Sequence, residues 1–208
     1  MLIRTFVGGP IGTQTYLVGD EAAGQAMVVD APGGIAQEVV DEAARLGLKI
    51  VVLVSTHGHW DHIADNAALH RLTGAPIAVH SRDARMLEQP STAPFALPIV
   101  IPPSKPERLL REWDEILVGS LRFSVVHTPG HTPGSICLYE PSQRVLFSGD
   151  TLFASGYGRT DLPGGDEAAL ELSLGRLAAL PPDVQVYPGH GPATTLGDEA
   201  WLQSYRPV

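Results

Sequence analysis

Ser55-Thr56-His57-Gly58-His59-Trp60-Asp61-His62 is the stretch on which the reading of this chain turns. The apolar run 50–54 precedes it and predicts a buried strand, while 63–72 is amphipathic and stops at Gly74, which predicts a helix. The motif therefore sits where a strand end meets a helix start. Side chains alternate in an extended segment, so His57 and His59 point the same way and both imidazoles reach one ion. Asp61 and His62 follow on the turn into the helix and project elsewhere, toward a second ion; in two-metal hydrolytic sites the ions lie about 3.5–4 Å apart. Four ligand-type side chains in so short a stretch imply two metals better than one. With positions treated as independent, the pattern arises by chance in about one such chain in a thousand.

Outward from the motif, the chain reads as strands, helix and strand, twice over. Residues 2–7, 13–18 and 25–30 are short strand patterns separated by Gly and Pro turns, and 35–46 carries a helical apolar stripe that ends at Gly47. Residues 76–80 supply another short strand. The segment 89–106 holds prolines at 90, 94, 98, 102, 103 and 106 and predicts an irregular surface connection. Beyond it, 116–118, 121–127, 135–140 and 144–148 predict strands, 166–180 a helix with Asp166 as N-cap, and 184–187 a last strand. The expectation is one domain over 1–208, built of two similar halves at about 1–115 and 116–208. Two sheets packed face to face with helices outside bury both apolar faces, so the expected fold is α/β, a four-layer αββα sandwich.

Composition narrows the function. The chain has 208 residues, 44% of them hydrophobic, with 14 Lys+Arg against 23 Asp+Glu for a net charge of −9, which disfavours a nucleic-acid partner. No apolar run approaches the roughly 20 residues that span a bilayer, so no membrane role is expected. The single cysteine, Cys137, forms no internal disulfide, and no basic-then-apolar segment opens residues 1–10; a cytoplasmic setting is expected. Cys137 itself reads as a small core residue.

Three further candidate ligands each follow an apolar strand and a glycine: His131 in Thr128-Pro129-Gly130-His131-Thr132, Asp150 in Phe147-Ser148-Gly149-Asp150-Thr151, and His190 in Tyr187-Pro188-Gly189-His190-Gly191. Of the other histidines, His70 and His80 read as surface or capping residues and His127 as structural.

In this order the motif and its three partners resemble the metallo-β-lactamase superfamily of dinuclear hydrolases, across essentially the whole chain. Thr-Pro-Gly-His-Thr-Pro-Gly at 128–134 and Ser-Gly-Asp-Thr-Leu-Phe at 148–153 resemble its glyoxalase II branch, the hydroxyacylglutathione hydrolases. The resemblance implies that His57, His59 and His131 hold a first metal, that Asp61, His62 and His190 hold a second, and that Asp150 bridges them. It implies two divalent ions, zinc first, with iron or manganese as alternatives. It also implies a small-molecule thioester substrate of the lactoylglutathione type, whose thiolate leaves without prior protonation. Asp61 is the expected proton carrier, and Asp30 the expected hydrogen-bond partner of the ligand loop.

The loop Gly156-Tyr157-Gly158-Arg159-Thr160-Asp161 is expected to reach substrate through Tyr157 and Arg159; the alternative is a local Arg159 to Asp161 ion pair that fixes the turn. Gly158 to Asp161 also resembles the persulfide dioxygenases of the same superfamily, in which one iron would be held by His57, His131 and Asp150. The Gly189-His190-Gly191 context favours hydrolysis. Larger glyoxalase II enzymes follow their last metal histidine with a basic helical extension for the glutathione carboxylates. Here Arg206 is the only cation after His190, so that pocket wall is expected to be missing.

Overall fold

The computed structural model describes residues 1–95, 97 and 99–205; Pro98 of the proline-rich connection and Arg206 lie outside them. The first sheet is formed by β1 (Leu2–Gly8), β2 (Thr13–Asp20), β3 (Gln25–Val29), β4 (Lys49–Ser55), β5 (Ile77–His80) and β6 (Arg108–Leu110), in that spatial order. Its first three strands are antiparallel, and β3 to β6 run parallel through the crossovers α1 (Ala36–Arg45), α2 (Trp60–Ile63), α3 (Asn66–Thr73) and α4 (Ala84–Glu88). The second sheet contains β7 (Glu115–Val118), β8 (Leu121–His127), β9 (Ile136–Glu140), β10 (Val145–Gly149), β13 (Gln185–Pro188) and β14 (Thr194–Thr195). Its order is β14-β13-β10-β9-β8-β7. A small hairpin of β11 (Leu152–Phe153) and β12 (Gly156–Tyr157), helix α5 (Glu167–Ala178) and a 3₁₀ helix (Ala200–Tyr205) complete the elements.

Strand alternation sorts the apolar residues into three layers. Tyr16, Val18, Met27, Val29, Val52 and Val54 of the first sheet meet Phe123, Val125, Ile136, Leu138 and Phe147 of the second. Their strand neighbours Leu17, Ala26, Val28 and Leu53 turn the other way, onto Val39 and Ala43 of α1 and Leu69 of α3. Val126, Cys137 and Leu146 of the second sheet pack under Leu170, Leu174 and Leu177 of α5 and Leu202 of the 3₁₀ helix. Helix, sheet, sheet, helix is the result, the expected four-layer αββα sandwich. Phe123 and Phe147 are wholly buried between the sheets, where truncation to Ala would cost about 3–5 kcal/mol.

Local signals hold where side chains near in sequence suffice: the Asp166 carboxylate accepts from Ala169 N at 3.0 Å and starts α5. The helix expected over 63–72 is instead two short helices, with Asp65 at the break. Its carboxylate is spent on a distant helix start, accepting from Ile35 N and Ala36 N at 2.8 and 2.9 Å and so capping α1 from outside. Helix α2 already begins at Trp60, which places Asp61 and His62 inside it. Of the two readings for His80, surface fails and capping holds: it is 5% exposed and stacks on His127, with ring centroids 4.0 Å apart, while its Nδ1 accepts from Arg82 N at 3.3 Å in the turn before α4. His70 is half-exposed, and its Nδ1 meets the Ala75 carbonyl at 2.9 Å. No helix among the described residues is long and apolar enough to cross a membrane.

Candidate metal centre

The seven candidate ligands come from strand ends. His57, His59, Asp61 and His62 follow β4. His131 follows β8, Asp150 follows β10 and His190 follows β13. Strands β8 and β10 are both antiparallel to β9, and β13 is parallel to β10, so their C-terminal ends share one edge of the second sheet. Two backbone hydrogen bonds, Ile136 N to Thr56 O (2.9 Å) and Gln14 N to Gly189 O (2.8 Å), fasten that edge to the first half.

Three groups converge there, each with its ligand atoms within 4.8 Å of one another: His57, His59 and His131; His57, His62 and Asp150; and Asp61, His62 and His190. His59 Nδ1 and His131 Nε2 are 2.8 Å apart, and His62 Nε2 and His190 Nε2 3.4 Å. Asp61 Oδ2 lies 3.2 Å from His62 Nε2 and 3.3 Å from His190 Nε2. Asp150 faces both sides: Oδ1 is 3.3 Å from His62 Nε2, and Oδ2 is 3.5 Å from both His131 Nε2 and His190 Nε2. The buried His57 Nε2 and Asp150 Oδ1 have no hydrogen-bond partner. Such groups are costly unless something else binds them, and a set of imidazoles and carboxylates without thiolate suits zinc, iron or manganese.

The opposite edges of the rings are held. Asp30, at φ +60°, turns its carboxylate under the motif. Its Oδ2 accepts from His62 Nδ1 and Thr56 Oγ1, both at 2.8 Å, and its Oδ1 accepts from Thr56 N at 2.7 Å. Thr56 Oγ1 in turn meets His57 Nδ1 at 3.1 Å, so one buried carboxylate orients a ring in each outer group. His131 Nδ1 donates to the Arg159 carbonyl at 2.7 Å. Each of these rings thereby presents Nε2 to the cluster.

Two residues here carry no sequence signal. Buried Asp83 accepts from Gly58 N (2.9 Å) and Thr132 Oγ1 (2.7 Å), tying the motif loop to the His131 loop. Thr13 Oγ1 donates to Asp61 Oδ2 at 2.8 Å. Asp83 sits in an ordinary polar turn and Thr13 at a strand start, so neither residue type nor spacing marks them.

Electrostatics separates the groups. Burial, reinforced by the neighbouring rings, holds His57 well below the usual imidazole value and His59 down to about 4, so both are neutral. Burial opposes charge on His62 too, but Asp150, Asp61 and Asp30 outweigh it and push that ring up; hydrogen bonding to Asp61 and the charge of Asp150 do the same for His190. Burial raises the Asp61 carboxyl, yet His62 and His190 beside it win and hold it below the ordinary carboxylate range. Positive charge is wanted among these carboxylates, and a cation supplies it as well as a proton does.

A cleft of about 440 Å³ opens over the cluster. His59, Asp61, His131, Asp150 and His190 form one side; Ile11, Phe95, Phe153, Tyr157 and Leu162 form much of the other. Arg159 also lines it, but Asp161 takes its guanidinium in a fork, Nε to Oδ1 and Nη2 to Oδ2, both at 2.6 Å. The buried Cys137 lies away from the cleft, its thiol pushed up to about 11 by burial.

Comparison with known proteins gives the family and agrees with the fold. The hydroxyacylglutathione hydrolase GloC of Haemophilus influenzae is 38% identical over 179 residues, which cover 84% of this chain and 84% of that protein. Among solved structures, the BLEG-1 B3 metallo-beta-lactamase superposes with a TM-score of 0.88 at 34% identity, covering 97% of this chain and 99% of that one. TTHA1623, solved in a di-iron-bound form, superposes with a TM-score of 0.85 at 38% identity, covering 95% and 96%. Residues 8–190 match the family described as the metallo-beta-lactamase superfamily, a span that takes in every candidate ligand, and the chain therefore belongs to that superfamily.

Proposed function

We propose that this metallo-hydrolase is dinuclear and cleaves thioesters. The observation that carries the reading is Asp150, whose two oxygens face a ring of one outer group, His131, and two of the other, His62 and His190. His57, His59 and His131 would hold one ion, Asp61, His62 and His190 the other, and Asp150 both. Zinc is the proposed ion, with iron the alternative that a relative in di-iron form supports. Bound there, the ions supply an acidified water near neutral pH and positive charge for an acyl oxygen.

The residues do the rest by position. Asp30 fixes His62 directly and His57 through Thr56, so neither ring can swing its Nε2 away. His62 and His190 hold Asp61 ionised and Thr13 fixes its Oδ2 beside the cleft, where the Asp61 carboxylate is the proposed acceptor of a proton from the attacking water. A thioester suits such a site because a thiolate departs without a proton donor, and the likeness to GloC supports that class. Persulfide oxygenation, the second reading, rests on the Gly158 to Asp161 loop. It would use His57, His131 and Asp150 and leave Asp61, His62 and His190 converging without a task.

Metal analysis of the purified protein, run beside thioester hydrolysis and oxygen uptake on a persulfide, tests the choice. About two ions per chain with hydrolysis supports the proposal; one iron per chain with oxygen uptake overturns it.

A further inference from the structure

The wall of the cleft that faces the candidate ligands is apolar and partly uncovered. Ile11 is 55% exposed, Phe95 46% and Tyr157 45%, three large side chains around one opening in a chain where most of their kind are buried. The wall is also braced. Tyr157, on the β11–β12 hairpin, packs against Trp201 and Tyr205 of the 3₁₀ helix at ring distances of 5.6 and 6.2 Å. The buried Glu199 accepts from Trp201 Nε1 (2.6 Å), Ser155 N (2.7 Å) and Thr194 Oγ1 (2.7 Å), pinning hairpin and helix to one point. Charge is scarce on this side. Arg159 is the sole Arg or Lys among the described residues lining the cleft; two of its N–H groups are given to the Asp161 carboxylate, and its guanidinium lies over the Phe95 ring at 5.8 Å.

We propose that the thiol-derived arm of the substrate is apolar or aromatic and lies against Tyr157, Ile11 and Phe95. This rests on the thioester reading and narrows it. A glutathione arm brings two carboxylates, each needing a cationic or N–H partner on leaving water, whereas the described residues of this wall offer a single cation, already paired with Asp161, among Ile11, Phe95 and Tyr157. A phenylalkyl arm needs none and gains by covering exposed apolar surface.

The test uses the metal-loaded protein and two thioesters with the same lactoyl group, one on glutathione and one on a phenylalkyl thiol of matched acidity. The phenylalkyl ester is expected to show a kcat/KM about ten- to a hundredfold higher, the size of a lost charge-assisted hydrogen bond. Non-hydrolysable thioethers of the two arms should bind in the same order by calorimetry. An equal or higher kcat/KM for the glutathione ester overturns the inference and leaves the thioester reading standing. Hydrolysis of neither ester overturns the thioester reading itself, and this inference with it. Tyr157→Ser should raise KM for the phenylalkyl ester by about tenfold with kcat little changed. A variant that keeps the full preference and only melts earlier would remove Tyr157 from the wall.

Discussion

The two halves of the molecule present their candidate ligands by different means. The first half offers four from one short segment, and buried carboxylates prop that segment from beneath: Asp30 through Thr56 and His62, Asp83 through Gly58. The second half offers one from each of three separate turns and leans more on missing side chains, although Gly58 of the first half is hemmed in by Met86 and the His131 loop is also tied to Asp83. Gly149 sits at φ +49°, and a Cβ there would stand 2.5 Å from Thr56 Oγ1. A Cβ on Gly189 would stand 2.2 Å from Asp150 Oδ1 and 2.6 Å from His62 Cε1. Hydrogen-bonded props tolerate a weaker partner, whereas a steric clearance has no partial substitute. The three-turn half should therefore be the more fragile side of the site.

Substitutions can break that contrast. Asp150→Ala, which removes the one residue facing both outer groups, should have the largest effect: metal content falling from about two ions per chain to one or fewer, and hydrolysis falling by more than about a hundredfold. Retention of two ions would show that Asp150 does not bridge. Gly189→Ala comes next, with hydrolysis down by up to about a hundredfold, metal held more weakly and stability down by about 1–3 kcal/mol from overpacking. Asp30→Asn keeps the shape but weakens the acceptor, and should cost about tenfold to a hundredfold in metal affinity or kcat/KM. Should Asp30→Asn prove more damaging than Gly189→Ala, props matter more than clearances and the contrast is reversed.

The effect with least bearing on hydrolysis, a pH dependence of stability alone, concerns the seam between the halves, where His80 of β5 stacks on His127 of β8. Burial, with the neighbouring His127 and Arg82, holds the His80 ring down to about 4 from 6.5. An unfolded chain takes up this proton below pH 6.5 while the folded one does not, so its share of stability is present above 6.5 and is lost as pH falls to about 4. At most about 3 kcal/mol is involved. His80→Phe keeps a ring to stack and removes the proton; unfolding of both proteins at several pH values should show the variant losing less over that window. Parallel pH profiles would mean that His80 titrates alike in both states.

Much of this was legible in the sequence, for reasons that differ by element. Alternation in β2, β3 and β4 sets which residues face the other sheet, because the strand period is fixed by covalent geometry. Spacing within 57–62 announces a multi-ligand segment, since four such side chains so close together have few other uses. The Arg159 to Asp161 pair was also readable, being two residues apart, as was the cap of α5. What the sequence by itself determined are features set within a turn or a strand length.

Only the tertiary structure decided the rest. Thr13 reaches Asp61 across 48 residues, Asp65 caps a helix start 30 residues earlier, and Asp83 accepts from Gly58 25 residues before it. His80 is buried because a strand of the other half lies over it, and Tyr157 is braced because the 3₁₀ helix returns to it. A carboxylate or hydroxyl has the same local signature on a surface turn as beneath a ligand loop. Its partner is chosen by how the sheets pack, and that packing is a property of all the strands together.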